Sequence, residues 1–151
     1  MRRVMLRDFP IHRMDEARQH SEALIREFQM IVHADPATSP VPQRLLELAA
    51  ESERRYSGLN PHAEAIVDLA IARGDEYVDL ELEVPPTFRQ ETLDAVPLLL
   101  EVEDYCRNGE LLTLVPSDEL RAFWVWYLGE FVRQIDGFEP VSWLERADAD
   151  A

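Results

Sequence analysis

Hydrophobic side chains recur at three- and four-residue steps near the start of the chain. This spacing places them on one side of a helix and predicts a helix over residues 14–33. Arg18, Glu22 and Arg26 fall on the opposite side, as expected for a helix with one face in water. The positions on the apolar side are Met14, Ala17, Ser21, Leu24, Ile25, Phe28, Ile31 and Val32.

Two shorter helices are predicted after a proline-rich stretch at residues 35–42, which favours extended backbone and separates elements rather than domains. Asn60 and Pro61 suit the cap and first turn of the later helix, and Gly74 suits its end. The earlier helix ends at Gly58, and its apolar positions are Leu45, Leu48, Ala49 and Tyr56.

Residues 77–84 (YVDLELEV) alternate strictly between apolar and acidic or polar side chains, which predicts a half-buried strand. Pro85 and Pro86 end it. Because a strand needs a partner, the candidates are residues 3–6 and residues 111–115, both short. A long helix is expected over residues 86–108, where Pro97 removes one backbone hydrogen bond and is expected to kink or split the helix.

The strongest helix signal comes last. Ser117 can cap a helix that ends near Gly137, and Asp118 and Glu119 suit the positive end of its dipole. Phe123 and Trp126 widen its apolar surface beyond the main stripe, which consists of Leu120, Trp124, Tyr127, Leu128, Phe131 and Ile135. Together these patterns predict a mainly α fold of about five helices with a minor β element, formed as one domain by residues 1–144 and followed by a disordered tail at 145–151.

The excess of acidic over basic residues disfavours some classes of binding partner. Fifteen arginines face 30 acidic residues, which gives a net charge of −15 and disfavours nucleic acid and anionic membranes as partners. No apolar run reaches the length of a membrane span, and the charged N-terminus is unlike a signal peptide. The single cysteine, Cys106, agrees with a reducing compartment, so a cytoplasmic protein is expected.

Residue types that carry chemistry are present, but their spacing does not point to catalysis. The four histidines, at 12, 20, 33 and 62, include no pair at the i, i+4 spacing of a metal site. Cys106 follows acidic residues that would raise its pKa, which favours a buried structural thiol. The acids Glu101, Glu103 and Asp104 are typical of a solvated helix face. We therefore expect no enzyme activity, no metal and no cofactor.

The aromatic segment at residues 123–127 favours a binding protein. One helix can seldom bury both flanks in a domain of this size, so Phe123 or Trp126 is expected to face a partner or a second copy in a homodimer. The C-terminal extension at residues 138–144 carries two aromatic residues and either packs back or docks elsewhere. The hypothesis is an aromatic patch rimmed by acids that selects a basic protein partner, with predicted partner-binding residues Phe123, Trp126, Glu130, Arg133, Phe138 and Trp143.

A small-molecule sensor is the alternative. In that interpretation an apolar pocket lies between the aromatic helix and the helix interrupted by Pro97.

Three segments also resemble a known family: residues 24–28 (LIREF), 105–114 (YCRNGELLTL) and 126–135 (WYLGEFVRQI). They are similar to small uncharacterised proteins of high-GC Gram-positive bacteria that accompany anti-sigma-factor kinases, their STAS-domain antagonists and serine phosphatases. The resemblance implies a role in partner-switching signal transduction, with an anti-sigma factor or a kinase as partner. It implies no catalytic residue.

Overall fold

The computed structural model describes residues 1–34, 47, 61–113 and 115–146. Within these residues the chain forms four helices and a small two-stranded sheet, which confirms a mainly α fold with a minor β element. The predicted helix at residues 45–56 lies outside the described residues, apart from position 47. The elements in chain order are β1 (Arg2–Pro10), α1 (Ile11–His33), α2 (Pro61–Arg73), β2 (Tyr77–Val84), α3 (Phe88–Arg107) and α4 (Asp118–Ile135).

The alternating segment is a strand with the predicted bounds, and its partner is the N-terminal candidate. β1 and β2 pair antiparallel, with Val4 opposite Leu82 and Leu6 opposite Leu80. These four side chains are buried, because the alternation turns every apolar residue of β2 after Tyr77 toward the helices. The second candidate, residues 111–115, contains no strand among its described members.

The main core lies between this sheet and α4. Leu6 and Phe131 are completely buried there, and the Phe131 ring stands edge-on to Phe88 with centroids 5.0 Å apart. Phe9 reaches from the end of β1 to Phe123, with centroids 5.6 Å apart. The sheet thus packs against α4, for which the sequence gives the strongest helix signal.

A second apolar cluster joins α1 to the end of α3 and consists of Phe28, Val102, Cys106 and Leu111. The turn that follows α3 is fastened to α1 by the carboxylate of Glu27. This carboxylate accepts hydrogen bonds from the backbone of Leu112 and Thr113 and from the Thr113 hydroxyl, at 2.5–2.8 Å. α1 therefore packs beside α3 and α4 and closes one side of the space between them.

Helix termini follow the sequence signals. The Ser117 hydroxyl accepts the Leu120 N–H at 3.1 Å, and Gly137 has a left-handed φ of +96° just beyond the end of α4. Of the two outcomes expected at Pro97, a kink or a split, the split is excluded, because α3 continues through the proline as one element. Pro97 lies on the exposed side, where water can bond the carbonyl that the proline leaves without its helical donor.

Candidate functional site

The aromatic flank that the sequence assigns to a partner is buried. Trp126 is only 6% exposed, and its indole N–H donates to the Val141 carbonyl oxygen at 2.9 Å. Phe123 lies beside it, with ring centroids 6.2 Å apart. The expectation that Phe123 or Trp126 lies outside the core is therefore wrong, and the homodimer prediction loses the exposed aromatic residue on which it rested.

The chain covers this flank with residues 138–143, here called the C-terminal strap. Trp143 is buried, its backbone N–H donates to the Arg7 carbonyl at 3.0 Å, and its ring stands edge-on to Trp126. The strap thus packs back onto β1 and α4, one of the two outcomes that the sequence left open. Phe138 is the exception, because its ring is exposed. The guanidinium carbon of the half-exposed Arg133 lies over this ring, 5.6 Å from its centroid.

The strap ends in a turn that includes two residues predicted to begin a disordered tail. The Ser142 hydroxyl accepts the Glu145 N–H at 3.0 Å, and the Arg146 guanidinium lies 3.3 Å from the centroid of the Trp143 ring. Glu145 and Arg146 therefore contact the fold, at the start of the segment for which the sequence predicts a disordered tail. Residues 147–151 lie outside the described part of the chain.

Glu130 is a buried carboxylate that holds α4, the strap and β1 together. It accepts from Arg133 at 2.5 Å, from the Val141 N–H at 2.8 Å and from the Gln134 amide at 3.1 Å. Gln134 in turn bonds both the N–H and the carbonyl of Met5, each at 2.8 Å. The contacts of Glu130 are internal, so four of the six predicted partner-binding side chains (Phe123, Trp126, Glu130 and Trp143) are buried within the monomer.

The other flank of α4 is the accessible one. Trp124 and Trp126 point in nearly opposite directions round the helix, at about 100° per residue. Trp124 and Leu128, which the sequence places on the main core stripe, are only half-buried, and Val125 beside them is 71% exposed. This flank faces α3, where the small-molecule alternative places its pocket. Periodicity alone does not indicate which flank of α4 the chain itself covers, because apolar residues occupy both flanks.

This accessible flank forms one wall of an apolar groove. α3 and α4 run antiparallel, since Arg89 pairs with Asp136 at one end, at 2.7 Å, and Glu103 pairs with Arg121 at the other. The groove between them has a volume of about 390 Å³. Its walls are almost entirely aliphatic and aromatic, and the side chains that define it most clearly are Leu93, Val96, Leu100, Trp124, Val125 and Leu128.

Few polar groups line this groove. His20 of α1 stands edge-on to Trp124, with ring centroids 5.4 Å apart. Its burial lowers the pKa of the imidazole, and this effect outweighs the opposite influence of the Glu103 and Glu16 carboxylates. Arg121 of α4 also lines the groove and pairs with Glu103.

The lowered pKa of His20 predicts a pH dependence of stability. A folded-state pKa below the unfolded value of 6.5 means that folding favours the neutral imidazole, so stability is full above pH 6.5 and falls as the pH drops through the folded pKa. Urea unfolding of the parent and of His20→Gln at pH 7.5 and 5.5 measures this effect. The parent is expected to lose more stability on acidification than the variant, and equal losses would contradict the assignment.

Cys106, at the inner end of the groove, is buried as the sequence predicts. Burial raises the pKa of its thiol to about 11, and the nearby Glu27 and Glu103 carboxylates act in the same direction. At pH 8 the reactive thiolate is then on the order of 100-fold scarcer than for an unperturbed thiol. We expect Ellman's reagent to modify the folded protein at least about 100-fold more slowly than the urea-unfolded chain, and comparable rates would contradict this burial.

The remaining candidates for chemistry occupy surface or ion-paired positions. His12, His33 and His62 are exposed, and Glu103 pairs with Arg107 at 2.7 Å as well as with Arg121. Among the described residues, no three histidine, cysteine or acidic side chains are grouped so that they could hold a metal ion. Over the same part of the chain, no helix combines the length and apolar character needed to cross a bilayer.

Comparison of the chain with protein-family models, with curated proteins and with solved structures finds no significant match. The groove is therefore interpreted from its own geometry.

Proposed function

We propose that this protein is a non-catalytic interaction module that binds a partner protein through the apolar groove between α3 and α4. The observation that carries the proposal is the row of aliphatic side chains left in water along this groove, among which Leu100 is 56% and Val125 71% exposed. Contiguous apolar surface of this kind is typical of interaction sites, because leaving it in water is unfavourable. The exposed Phe138 and half-exposed Arg133 can extend the contact past one end of the groove.

The family resemblance supports a more specific role, that of a cytoplasmic regulator in bacterial partner switching. Each of the three resembling segments contributes to the groove: Leu24 comes from the first, Cys106 from the second, and Leu128 and Val132 from the third. The partner in this proposal is an anti-sigma factor or its kinase.

Selection of a random peptide library displayed on phage tests whether the groove recognises protein. The parent is the bait, and Val125→Asp, which places a charge in the groove wall, is the comparison protein. Leu69→Asp is the matched control, because Leu69 is an exposed apolar residue of α2 that does not line the groove. We expect enriched peptides to bind the parent and Leu69→Asp but not Val125→Asp, while peptides that bind all three proteins equally would contradict the proposal.

A small-molecule sensor is the second candidate, and the groove volume favours it. About 390 Å³ lies within the range of ligand pockets, and His20 and Arg121 are polar groups that could orient a mainly apolar ligand. A thermal-shift screen of drug-sized apolar compounds separates the two candidates. The sensor would be favoured if a compound binds saturably at one to one, if Leu128→Trp abolishes this binding by filling the groove, and if the phage selection enriches no peptide.

A further inference from the structure

The length of the groove matches a short helix. The residues of α3 that line the groove run from Thr92 to Cys106, which are fourteen positions apart. At about 1.5 Å per residue the groove is roughly 21 Å long, the length of a helix of about four turns.

The chemistry of the walls favours a helix over an extended segment. Leu93, Val96 and Leu100 follow one another at three- and four-residue steps on α3, with Val125 and Leu128 facing them from α4. Such ridges accept the apolar side chains of another helix. The backbone groups of α3 and α4 are bonded within their own helices, so they offer few partners to an extended peptide, whereas a helix satisfies its own backbone.

Gly129 gives a second, independent indication of close approach. It lies in the interior of α4, where glycine is less favourable than alanine, and it lines the groove. A Cβ added there would meet nothing within 4 Å in the described structure, so no contact within the described residues requires glycine. Its missing side chain leaves room for the backbone of a second helix to approach α4.

Charge favours a basic occupant. α3 and α4 together carry eight acidic residues against four arginines, a net charge of −4, and the whole chain carries −15. The charged residues that line the groove itself are Arg121, Arg133 and Glu103, and each arginine is paired with a carboxylate of α3 or α4. The net negative charge is therefore carried by exposed acids outside the lining, such as Asp94 and Asp118. A second copy of this chain would bring the same negative charge to the groove and is disfavoured by repulsion.

From length, wall chemistry, Gly129 and charge together, we infer that the groove binds an amphipathic helix of about four turns whose polar face is basic. This inference rests on the proposed function and specifies the chemistry of the partner segment.

Three synthetic peptides of about 18 residues test the inference by fluorescence anisotropy with the full chain. One has leucines at helical spacing with lysines elsewhere, the second replaces the lysines by glutamates, and the third is the lysine peptide with a central proline. We expect the intact lysine peptide to bind at least about tenfold more tightly than either of the others.

Variants of the protein locate the binding. Val125→Asp is expected to weaken binding of the lysine peptide at least about tenfold, although it adds a negative charge that would strengthen non-specific attraction. Leu69→Asp adds the same charge on α2 and is expected to leave the affinity unchanged. Gly129→Leu is expected to weaken binding without lowering the melting temperature, because leucine is a better helix former.

The outcomes separate this inference from the proposed function. Equal binding of the glutamate peptide, still sensitive to Val125→Asp, would overturn the basic partner and leave the groove as an interaction site. Equal binding of the proline peptide would overturn the helix in the same way. If Val125→Asp does not weaken peptide binding, both the helix inference and the proposed function are overturned. Both are also overturned if the protein binds no peptide and instead self-associates in a way that Val125→Asp abolishes.

Discussion

Replacement of Trp126 by alanine is expected to lower the free energy of unfolding by about 3–5 kcal/mol, a large part of the stability of a domain of this size. The indole is 6% exposed, packs against Phe123 and Trp143, and donates to Val141. Alanine leaves a cavity and an unbonded carbonyl in the same place. Urea unfolding followed by circular dichroism measures the loss.

The neighbouring position supplies the control for this variant. Val125→Ala removes an exposed side chain from the same turn of α4 and is expected to change stability by no more than about 0.5 kcal/mol. Trp124→Ala is expected to cost less than Trp126→Ala, which reverses the order that the helical stripe predicts. A Trp126→Ala protein within about 1 kcal/mol of the parent would mean that the strap does not cover this flank in solution.

Replacement of Glu130 by alanine is expected to destabilise the protein by about 2–4 kcal/mol, the second largest effect. The Glu130 carboxylate accepts hydrogen bonds from three donors, and all three bonds are lost in the alanine variant. Two of these donors, the Val141 N–H and the Gln134 amide, lie in a partly buried region, where the loss of an acceptor is costly. Arg133 is half-exposed and can be rehydrated, which keeps the expected loss below that of a fully buried ion pair.

Amide hydrogen exchange shows whether Glu130 acts through the strap. In Glu130→Ala the Val141 and Trp143 amides are expected to lose protection before the amides of β2 do. Glu130→Gln keeps one acceptor oxygen for Val141 and is expected to be less destabilised than the alanine variant. Unchanged protection of Val141 in the alanine variant would show that this carboxylate does not hold the strap.

Much of the fold follows from local pattern. The β2 alternation, the Ser117 cap and Gly137 each specify backbone conformation through neighbouring residues, and the structure agrees with all three. The N-terminal pairing partner of β2 was one of two candidates, and tertiary packing selects it. The sequence does not decide whether Pro97 divides its helix, because a helix can retain a proline where water reaches the freed carbonyl.

The candidate site was less predictable because it depends on contacts between distant parts of the chain. Gln134 and Met5 are 129 positions apart, and Trp143 joins Arg7, so the cover over the Trp126 flank has no local signal. From the sequence, Glu130 is expected to be a surface acid. It is buried because the strap packs over it, with the Val141 N–H donating to its carboxylate. The position of the groove, between the aromatic helix and the Pro97 helix, is the one that the small-molecule alternative expects, and Gly129 in the interior of α4 is a further local signal there.

Amide chemical-shift mapping shows whether a basic helix binds in the groove between α3 and α4. Isotope-labelled protein is titrated with the intact lysine peptide, and shift changes are plotted along the chain. We expect the changes to be concentrated at residues 93–103 of α3 and 121–133 of α4. Changes centred instead on the acidic face of β2, at Asp79, Glu81 and Glu83, would contradict it, because they would show that the peptide follows charge alone and does not enter the groove.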